Sequence, residues 1–246
     1  MRRLAVIGGS GFAALQGLDV LGYEEPESPY GLPSAHVMRG LLGGHEILFL
    51  PRHGSGHSIP PHRIDYRANI RALKDCGAER VIALAAVGGI GRAYGPRVLA
   101  VPDQIVDYTY GREQSFYDGG GADVVHIDFT RPYCEAMRRG LLDAARELDL
   151  DLVDGGTYAA TQGPRLETAA EVMRLEMDGC DLVGMTGMPE AALAREAGLC
   201  YASLAFVVNW AAGKAEGEIS MEEIEGNIAA CSAGIASILT TLARAG

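Results

Sequence analysis

The chain has 246 residues, 48% of them hydrophobic, which suits a large α/β domain with a sizeable core. Its formal net charge of −11 argues against a nucleic-acid phosphate backbone as partner, so any bound anion requires a local basic cluster. The five cysteines are scattered, odd in number and never in a C-x-x-C pair, which predicts reduced thiols rather than a disulfide framework or a zinc site.

The amino terminus reads MRRLAVIGGSG, a basic pair followed by a short apolar run that ends in glycines. A signal peptide needs an apolar run of roughly 7–15 residues, and a membrane span needs about 20. This run is shorter than either. We therefore expect a soluble, cytoplasmic protein with neither a membrane nor a nucleic acid as partner.

Short apolar runs alternate with helical patterns along the chain, which predicts a layered α/β fold in a single domain, residues 1–246. The predicted strands are residues 4–7, 46–50, 81–86, 98–101, 157–161, 182–185 and 201–208. The predicted helices are residues 62–75, 132–148, 165–177, 189–197 and 220–244. In the last helix, Ser220 and Glu223 form a capping box ahead of one apolar stripe, which predicts packing on the sheet.

The first predicted strand ends in GSGFAA, from Gly9 to Ala14, a formal match to the dinucleotide fingerprint. The acidic residue expected about 20 positions later falls in EEPESP, which is typical of a loop. A tight turn whose N–H groups and Ser10 hydroxyl hold a single phosphate is the favoured alternative.

The second predicted strand leads into PRHGSGHSIPPHR at 51–63, which carries two arginines and three histidines. A metal site at His53 and His57 is disfavoured, because their spacing brings two imidazoles together only in a helix and glycines and prolines interrupt this stretch. An oxyanion fits better: Arg52 supplies a planar fork of donors and His53 a further N–H. An exposed basic loop without a role stays open.

Three later segments place polar side chains where strands end. Glu167, in TQGPRLETAAEV, either compensates a helix dipole or meets a ligand, and Thr186 is either a helix cap or a phosphate-facing hydroxyl. Asn209, in FVVNWAAG at 206–213, is either a turn residue or a ligand-binding amide.

Taken together, these segments resemble the methylthioadenosine phosphorylase branch of the purine nucleoside phosphorylase family, over nearly the whole chain. The motifs that carry the resemblance are VIGGSGF, LPRHGSGHSIPP, QSFYDG (114–119), GPRLETAAEV, the block 182–205 and the NWA that follows. The resemblance implies a mixed, partly barrel-like central sheet flanked by helices and a homotrimer with active sites near subunit interfaces. It also implies phosphorolysis of a purine nucleoside, with inorganic phosphate as co-substrate and neither a metal nor an organic cofactor.

The resemblance implies a phosphate site and a ribose contact. Phosphate would be held by Ser10, Arg52, His53, the backbone around Ala86, and Thr186, with Met185 beneath the ribose. The family usually carries a hydroxyl or amide side chain at the position of Ala85. Backbone N–H groups would therefore have to replace that contact in this chain.

The base pocket departs from the adenosine-preferring branch, which carries an Asp-x-Asp pair where this chain has Asn209, Trp210 and Ala211. Glu167, followed by Thr168, stands where that branch has a small hydroxyl residue. A Glu there and an Asn at the strand end resemble the 6-oxopurine nucleoside phosphorylases. Asn209 and Glu167 are the expected catalytic residues, and Thr168 and Ala211 are expected to contribute to specificity.

The chemistry of the two purines supports this preference. A 6-oxopurine presents N1–H as donor and O6 as acceptor, which match the Glu167 carboxylate and the Asn209 amide N–H. A 6-aminopurine reverses both groups, at a cost of roughly 1–3 kcal/mol per buried mismatch, or a preference of tens to hundreds-fold.

The 5′ side of the nucleoside points to the methylthio branch. Ile219 and Met221 align with its apolar 5′ pocket, and His126 matches a histidine that the branch contributes across the subunit boundary. Ordinary packing at the start of the last helix is the alternative for Ile219 and Met221.

The expected reaction is phosphorolysis of S-methyl-5'-thioinosine to hypoxanthine and 5-methylthioribose 1-phosphate. Methylthioadenosine, or inosine and guanosine, are the alternative substrates. Nucleoside hydrolysis is disfavoured by the predicted phosphate cluster. A non-catalytic nucleotide-binding protein would depend on GSGFAA alone.

Overall fold

The computed structural model describes residues 3–117 and 124–245, so Asp118 and Gly119 of the QSFYDG motif lie outside the described residues. Its strands are β1 (Leu4–Gly8), β2 (Leu18–Glu24), β3 (Val37–Leu42), β4 (His45–Pro51), β5 (Arg80–Gly89), β6 (Leu99–Val101), β7 (Gln104–Asp107), β8 (Val153–Asp154), β9 (Thr157–Ala160), β10 (Leu182–Gly184) and β11 (Cys200–Trp210). Its helices are α1 (Tyr66–Asp75), α2 (Glu135–Glu147), α3 (Ala169–Met177), α4 (Gly187–Glu196) and α5 (Met221–Arg244).

All the strands belong to one mixed sheet, which branches at β5. The main path runs β2-β3-β4-β1-β5-β10-β9-β7, while β11 pairs with β5 and β6, and β6 pairs with β8. Strands β4, β1, β5 and β11 are parallel neighbours, so their carboxyl ends lie at the same edge of the sheet. Ligand-binding loops of α/β sheets collect at that edge.

Helices cover both faces of this sheet, as the apolar runs predict for an α/β domain. Helices α1 and α4 pack together on one face, and α2 and α5 pack together on the other. Ile70 and Leu193 are fully buried in the first core, and Leu141 and Ile238 are fully buried in the second. The expected single-domain α/β architecture is confirmed.

The start of α5 differs in one detail from the predicted capping box. Ser220 accepts a hydrogen bond from the backbone N–H of Glu223, as expected for an N-cap. The full capping box occurs instead at α3, where the Thr168 and Glu171 side chains satisfy each other's backbone N–H groups.

Four strands are absent from the predictions: β2, β3, β7 and β8. Strand β2 is mostly exposed and β8 has two residues, so neither carries the buried apolar run that marks the inner strands. Predicted helix 62–75 is divided into a 3-10 turn, Pro61–Arg63, and α1, because Asp65 caps α1 by accepting from the N–H of Ala68.

The prediction of reduced thiols is wrong for Cys134 and Cys200, which form a disulfide. These residues are 66 positions apart in sequence, but α2 begins beside the first residues of β11. The N–H of Cys134 donates to the carbonyl of Tyr201 at 2.7 Å, and the two cysteine Cα atoms lie 5.2 Å apart, within the usual range for a disulfide. Cys76, Cys180 and Cys231 are buried free thiols.

Helix α5, with 24 residues, is long and apolar enough to cross a membrane by length and composition alone. Core helices of soluble proteins meet the same criterion. Here the stripe that includes Ile235 and Leu239 is fully buried in the core that α5 shares with α2 and β11.

Candidate active site

A cavity of about 1040 Å³ opens at the carboxyl edge of the parallel strands. Most of the predicted site residues line it: Ser10, Arg52, His53, Ala85, Ala86, Glu167, Met185, Thr186, Asn209, Ala211, Ile219 and Met221. Segments that are far apart in sequence therefore form one pocket, with a polar end near β1 and β4 and an apolar end against α5.

Three predicted residues do not line this cavity. His126 is exposed on the segment after residue 123, so its predicted role across a subunit boundary stays a prediction. Trp210 packs its ring over Gly95, where an added Cβ would lie 3.1 Å from the ring. Thr168 accepts from the N–H of Glu171 at 3.1 Å, so its hydroxyl serves as the cap of α3 rather than facing a base.

The polar end begins with the loop after β1. A Cβ on Gly9 would lie 2.5 Å from the carbonyl oxygen of Leu84 and 3.0 Å from Nη1 of Arg52, so only glycine permits this close approach. Ser10 follows it, half-buried at the cavity surface. The N–H of Arg52 donates to the Gly8 carbonyl at 2.9 Å, which fixes the two loops together.

The guanidinium of Arg52 is bound from within the protein by Glu190, a residue that the sequence analysis missed. Nε and Nη2 donate to the two carboxylate oxygens at 2.6 and 2.8 Å, and Nη1 donates to the Leu84 carbonyl at 2.9 Å. The guanidinium edge formed by Nε and Nη2, which the sequence analysis expected to bind an oxyanion, is thus occupied by Glu190. Three of the five N–H donors are engaged, which leaves two for a cavity ligand.

Glu190 also makes the charge of Arg52 stable in the core. Burial alone would lower the pKa of Arg52, but the carboxylate outweighs it and holds that pKa above its ordinary value. The hydroxyl of Tyr201 donates to the same carboxylate at 2.8 Å. A permanent cation is therefore maintained at the polar end of the cavity.

His53 is neutral, in contrast to the donor predicted from sequence. Burial, and then the charge of Arg52, lower its pKa to about 4. Its Nδ1 lies 2.8 Å from the carbonyl oxygen of Ile59, which can only accept, so Nδ1 carries the proton. The remaining nitrogen, Nε2, is an acceptor in this tautomer and suits the hydroxyl of a protonated phosphate.

A metal at His53 and His57 receives no support from the arrangement of side chains. Their rings lie 4.5 Å apart between centroids. Over 3–117 and 124–245, however, no cluster of three or more His, Cys, Asp or Glu residues is placed to hold an ion.

Thr186 lies at the N-cap position of α4, yet its side chain makes no capping hydrogen bond. It is 8% exposed and lines the cavity, where its hydroxyl can meet a ligand as well as the neighbouring Tyr158 hydroxyl. Of the two alternatives for Thr186, the geometry favours the phosphate-facing hydroxyl.

Asn209 lies inside β11, not in a turn after it. A β-bulge interrupts the pairing of β11 with β5: Val207 pairs with Val87, and Asn209 pairs with Gly88. Val208 is the extra residue, and both it and Asn209 line the cavity. Neighbours on a regular strand face opposite sides, so the bulge is what directs the amide into the pocket.

Two hydrogen bonds stabilise this bulge. Nδ2 of Asn227, on α5, donates to the Val208 carbonyl at 2.8 Å, and Nε of Arg97 donates to the Asn227 amide oxygen at 2.8 Å. Nδ2 of Asn209 donates to the Trp210 carbonyl at 2.7 Å, which orients the amide and leaves its second N–H for a ligand.

Glu167 lies before α3, outside the first helical turn, so it does not serve as the dipole-compensating carboxylate. That position is taken by Glu171. The hydroxyl of Thr161, at the end of β9, donates to Oε1 of Glu167 at 2.6 Å. One carboxylate oxygen is thus held, and the other can accept from a ligand. Sequence patterns did not single out Thr161, which sits at the start of the same motif.

The opposite end of the cavity is apolar. Ile219, Met221, Ile224 and Ile228 line it, and one carboxylate, Glu225, lies among them. The apolar side chains are compatible with a thioether, whereas the carboxylate can accept from a hydroxyl. Met221 is 64% exposed, so this end is open in the single chain.

The chain is similar to known proteins over nearly its whole length. The model of the Phosphorylase superfamily matches residues 3–244. A probable S-methyl-5'-thioinosine phosphorylase of Xanthomonas campestris pv. campestris is 54% identical over 242 residues, covering 98% of this chain and 97% of the relative. The 6-oxopurine nucleoside phosphorylase of Pyrococcus furiosus is 45% identical over 232 residues, covering 91% and 85%. The methylthioadenosine phosphorylase of Schistosoma mansoni, solved with adenine, superposes with a TM-score of 0.95 at 32% identity, covering 100% and 92%.

Proposed function

Because the chain belongs to the phosphorylase superfamily, we propose that it cleaves S-methyl-5'-thioinosine with phosphate. The products are hypoxanthine and 5-methylthioribose 1-phosphate, so the protein is a pentosyltransferase that serves purine salvage. The observation that carries this proposal is the presence of Glu167 and Asn209 in the same cavity as Arg52 and Thr186.

The reaction follows from the residues of the cavity that would bind phosphate and the purine base. A phosphate oxygen forms a bond to C1′ as the bond from C1′ to N9 breaks, and the electron pair of that bond moves onto the purine. Arg52 and Thr186 hold the attacking anion, and the Asn209 amide donates to O6 or N7 as negative charge accumulates there. The phosphate hydroxyl loses a proton and the departing base gains one, so charge is conserved.

The purine preference follows from Glu167 and the missing carboxylates. Glu167 accepts from N1–H of a 6-oxopurine, whereas adenine would place its N1 lone pair against the carboxylate. Ala211 offers no acceptor for a 6-amino group. These mismatches predict a preference for the 6-oxo base of roughly ten- to hundredfold.

A second candidate substrate is inosine or guanosine, each with a free 5′-hydroxyl. Glu225, in the otherwise apolar end of the cavity, supports it, since a carboxylate accepts from a hydroxyl. Relatives named 6-oxopurine nucleoside phosphorylase, such as that of Pyrococcus furiosus, add to the support.

The same proposal includes the oligomeric state, the cofactor requirement and the localisation of the enzyme. The enzyme works as a homotrimer in which His126 of one subunit approaches the site of the next, and it requires no cofactor besides phosphate as co-substrate. It is a soluble cytoplasmic protein with no nucleic-acid or membrane partner. The exposed position of His126 and the open apolar end of the cavity support the trimer. Sedimentation of the intact protein tests it.

The test of the activity is a side-by-side assay of methylthioinosine, methylthioadenosine, inosine and adenosine, with and without phosphate. We expect phosphate-dependent release of hypoxanthine, fastest from methylthioinosine. Base release without phosphate would establish a hydrolase, and tight binding without turnover would establish a binding protein. Glu167→Gln should lower the preference for the 6-oxo base, while Glu171→Gln, the same change four residues later in the α3 cap, should not.

A further inference from the structure

Arg112 lies beside the cavity and carries no role in the reaction described above. Its guanidinium is half-buried and, within the described ranges, donates only to neutral oxygen atoms. A buried guanidinium is usually balanced by a carboxylate, as Arg52 is by Glu190. The partners of Arg112 are instead mostly backbone carbonyls, and they belong to the loops that form the cavity.

Two of those loops come from opposite sides of the nucleoside site. Nη1 donates to the carbonyls of Met185 and Met188 at 2.9 and 2.6 Å, at the ribose and phosphate side. Nη2 donates to the carbonyls of Thr161 and Gln162 at 3.2 and 2.8 Å, at the base side. One rigid planar group thus spans both loops.

A third loop is bound through Tyr66. Nη1 of Arg112 lies 3.2 Å from the Tyr66 hydroxyl, and the guanidinium stacks over the ring at 5.4 Å from its centroid. That hydroxyl donates to the carbonyl of Pro61 at 3.0 Å, and Pro61 lines the cavity next to the histidine loop. All three walls around the expected substrate are therefore tied to one side chain.

We propose that Arg112 is a positioning residue that sets the purine preference by fixing Glu167 relative to Met185. It acts through Thr161, whose carbonyl binds Arg112 and whose hydroxyl donates to Glu167 at 2.6 Å. The inference rests on the proposed function, because it assigns the base-reading carboxylate to Glu167.

Arginine suits this position for a geometric reason. Its five N–H donors lie in one plane and can bind several carbonyls at once, whereas the three donors of lysine diverge from a single nitrogen. Lysine would keep the charge but release at least one loop. A displacement of about 1 Å in a positioned group can cost on the order of a hundredfold in rate.

The experiment compares Arg112→Lys with Arg138→Lys. Arg138 is buried and donates to two backbone carbonyls, those of Pro102 and Val101, and to the carboxylates of Glu135 and Asp154. In contrast to Arg112, whose partner Met185 lines the cavity, Arg138 has no hydrogen-bond partner there. The readout is the ratio of kcat/KM for methylthioinosine to that for methylthioadenosine. This ratio does not depend on the fraction of folded enzyme, so a merely structural role leaves it unchanged.

We expect Arg112→Lys to lower the ratio by about tenfold or more and Arg138→Lys to lower stability while keeping the ratio. Thr161→Val should lower the ratio as Arg112→Lys does, and Thr161→Ser, which retains the hydroxyl, should restore it. If Arg112→Lys fails to fold, the ratios measured for Thr161→Val and Thr161→Ser test the inference.

A ratio that Arg112→Lys and Thr161→Val leave at the wild-type value overturns the inference, as does an equal fall in Arg138→Lys. A wild-type enzyme without phosphate-dependent turnover of either nucleoside overturns the proposed function itself.

Discussion

The carboxylate of Glu190 occupies the fork of the Arg52 guanidinium, 2.6 Å from Nε and 2.8 Å from Nη2, and both side chains are buried. The two residues are 138 positions apart in sequence, so the fold alone brings them together. An anion that reaches Arg52 therefore meets a guanidinium whose orientation is already set. The same contact makes each charge depend on the other for its place in the core.

Arg52→Met is expected to affect both stability and phosphate use. It leaves the Glu190 charge buried without its partner, which should lower the free energy of unfolding by about 3–5 kcal/mol. Loss of charged hydrogen bonds to phosphate should raise the phosphate KM roughly ten- to hundredfold. Urea unfolding and initial rates at varied phosphate concentration measure the two effects.

The double variant Arg52→Met with Glu190→Gln separates these effects. It removes the stranded charge, so most of the lost stability should return, whereas the phosphate KM should stay high. A phosphate KM that returns to the wild-type value would remove Arg52 from the phosphate site.

The neutral state of His53 predicts a pH dependence of stability. Its pKa is about 4 in the folded protein, lowered by burial from an ordinary 6.5, so between these values the unfolded chain binds the extra proton. Stability is then fully present above pH 6.5 and is lost as the pH falls toward 4. The loss attributable to His53 at pH 5 is about 2 kcal/mol.

Urea unfolding of the wild type and of His53→Gln, at pH 7 and pH 5, checks this value. Carboxylates titrate in the same range and affect both proteins, so the difference between the two isolates the histidine. Equal losses in the two proteins would show that His53 is not held neutral by the fold.

The base pocket is tested by the double variant Asn209→Asp with Ala211→Asp. It introduces acceptors for a 6-amino group and should shift the preference toward methylthioadenosine by roughly ten- to hundredfold relative to the wild type. The measured quantity is the ratio of kcat/KM values for the two methylthio nucleosides, which tolerates a loss of folded enzyme. A ratio equal to that of the wild type would contradict the proposal that Asn209 binds the purine base.

The disulfide between Cys134 and Cys200 predicts a response to reductant. For a loop of 66 residues, the chain-entropy model gives a stabilisation of roughly 4 kcal/mol. Dithiothreitol should lower the urea midpoint of the wild type and leave that of Cys134→Ser unchanged. A wild-type midpoint that does not respond would mean that the bond does not form in solution.

The parts predicted well from sequence were those encoded by neighbouring residues. Buried strands such as β1 and β11 carry dense apolar runs, and the loop at Arg52 and His53 combines glycines with donors in one short motif. The start of α3 was predicted four residues too early, at residue 165, because Thr168 caps the helix and α3 begins at Ala169.

The parts that were missed depend on contacts between distant segments. Glu190 looked like an ordinary residue in the first turn of a helix, and Arg112 stood next to a motif without belonging to it. Asn227 stabilises a β-bulge that no local sequence pattern predicts. In each case the partner lies many residues away, so neither periodicity nor spacing could identify the pair.

The bulge at Val208 makes the specificity of this site a matter of chain length as well as residue identity. Inserting one further residue into β11 before Asn209 would pair Asn209 with Gly89 instead of Gly88 and turn the amide toward the opposite face of the sheet. The base would then meet a different row of side chains with every residue type retained. A one-residue insertion in this strand would thus change the contacts with the substrate without replacing the amide.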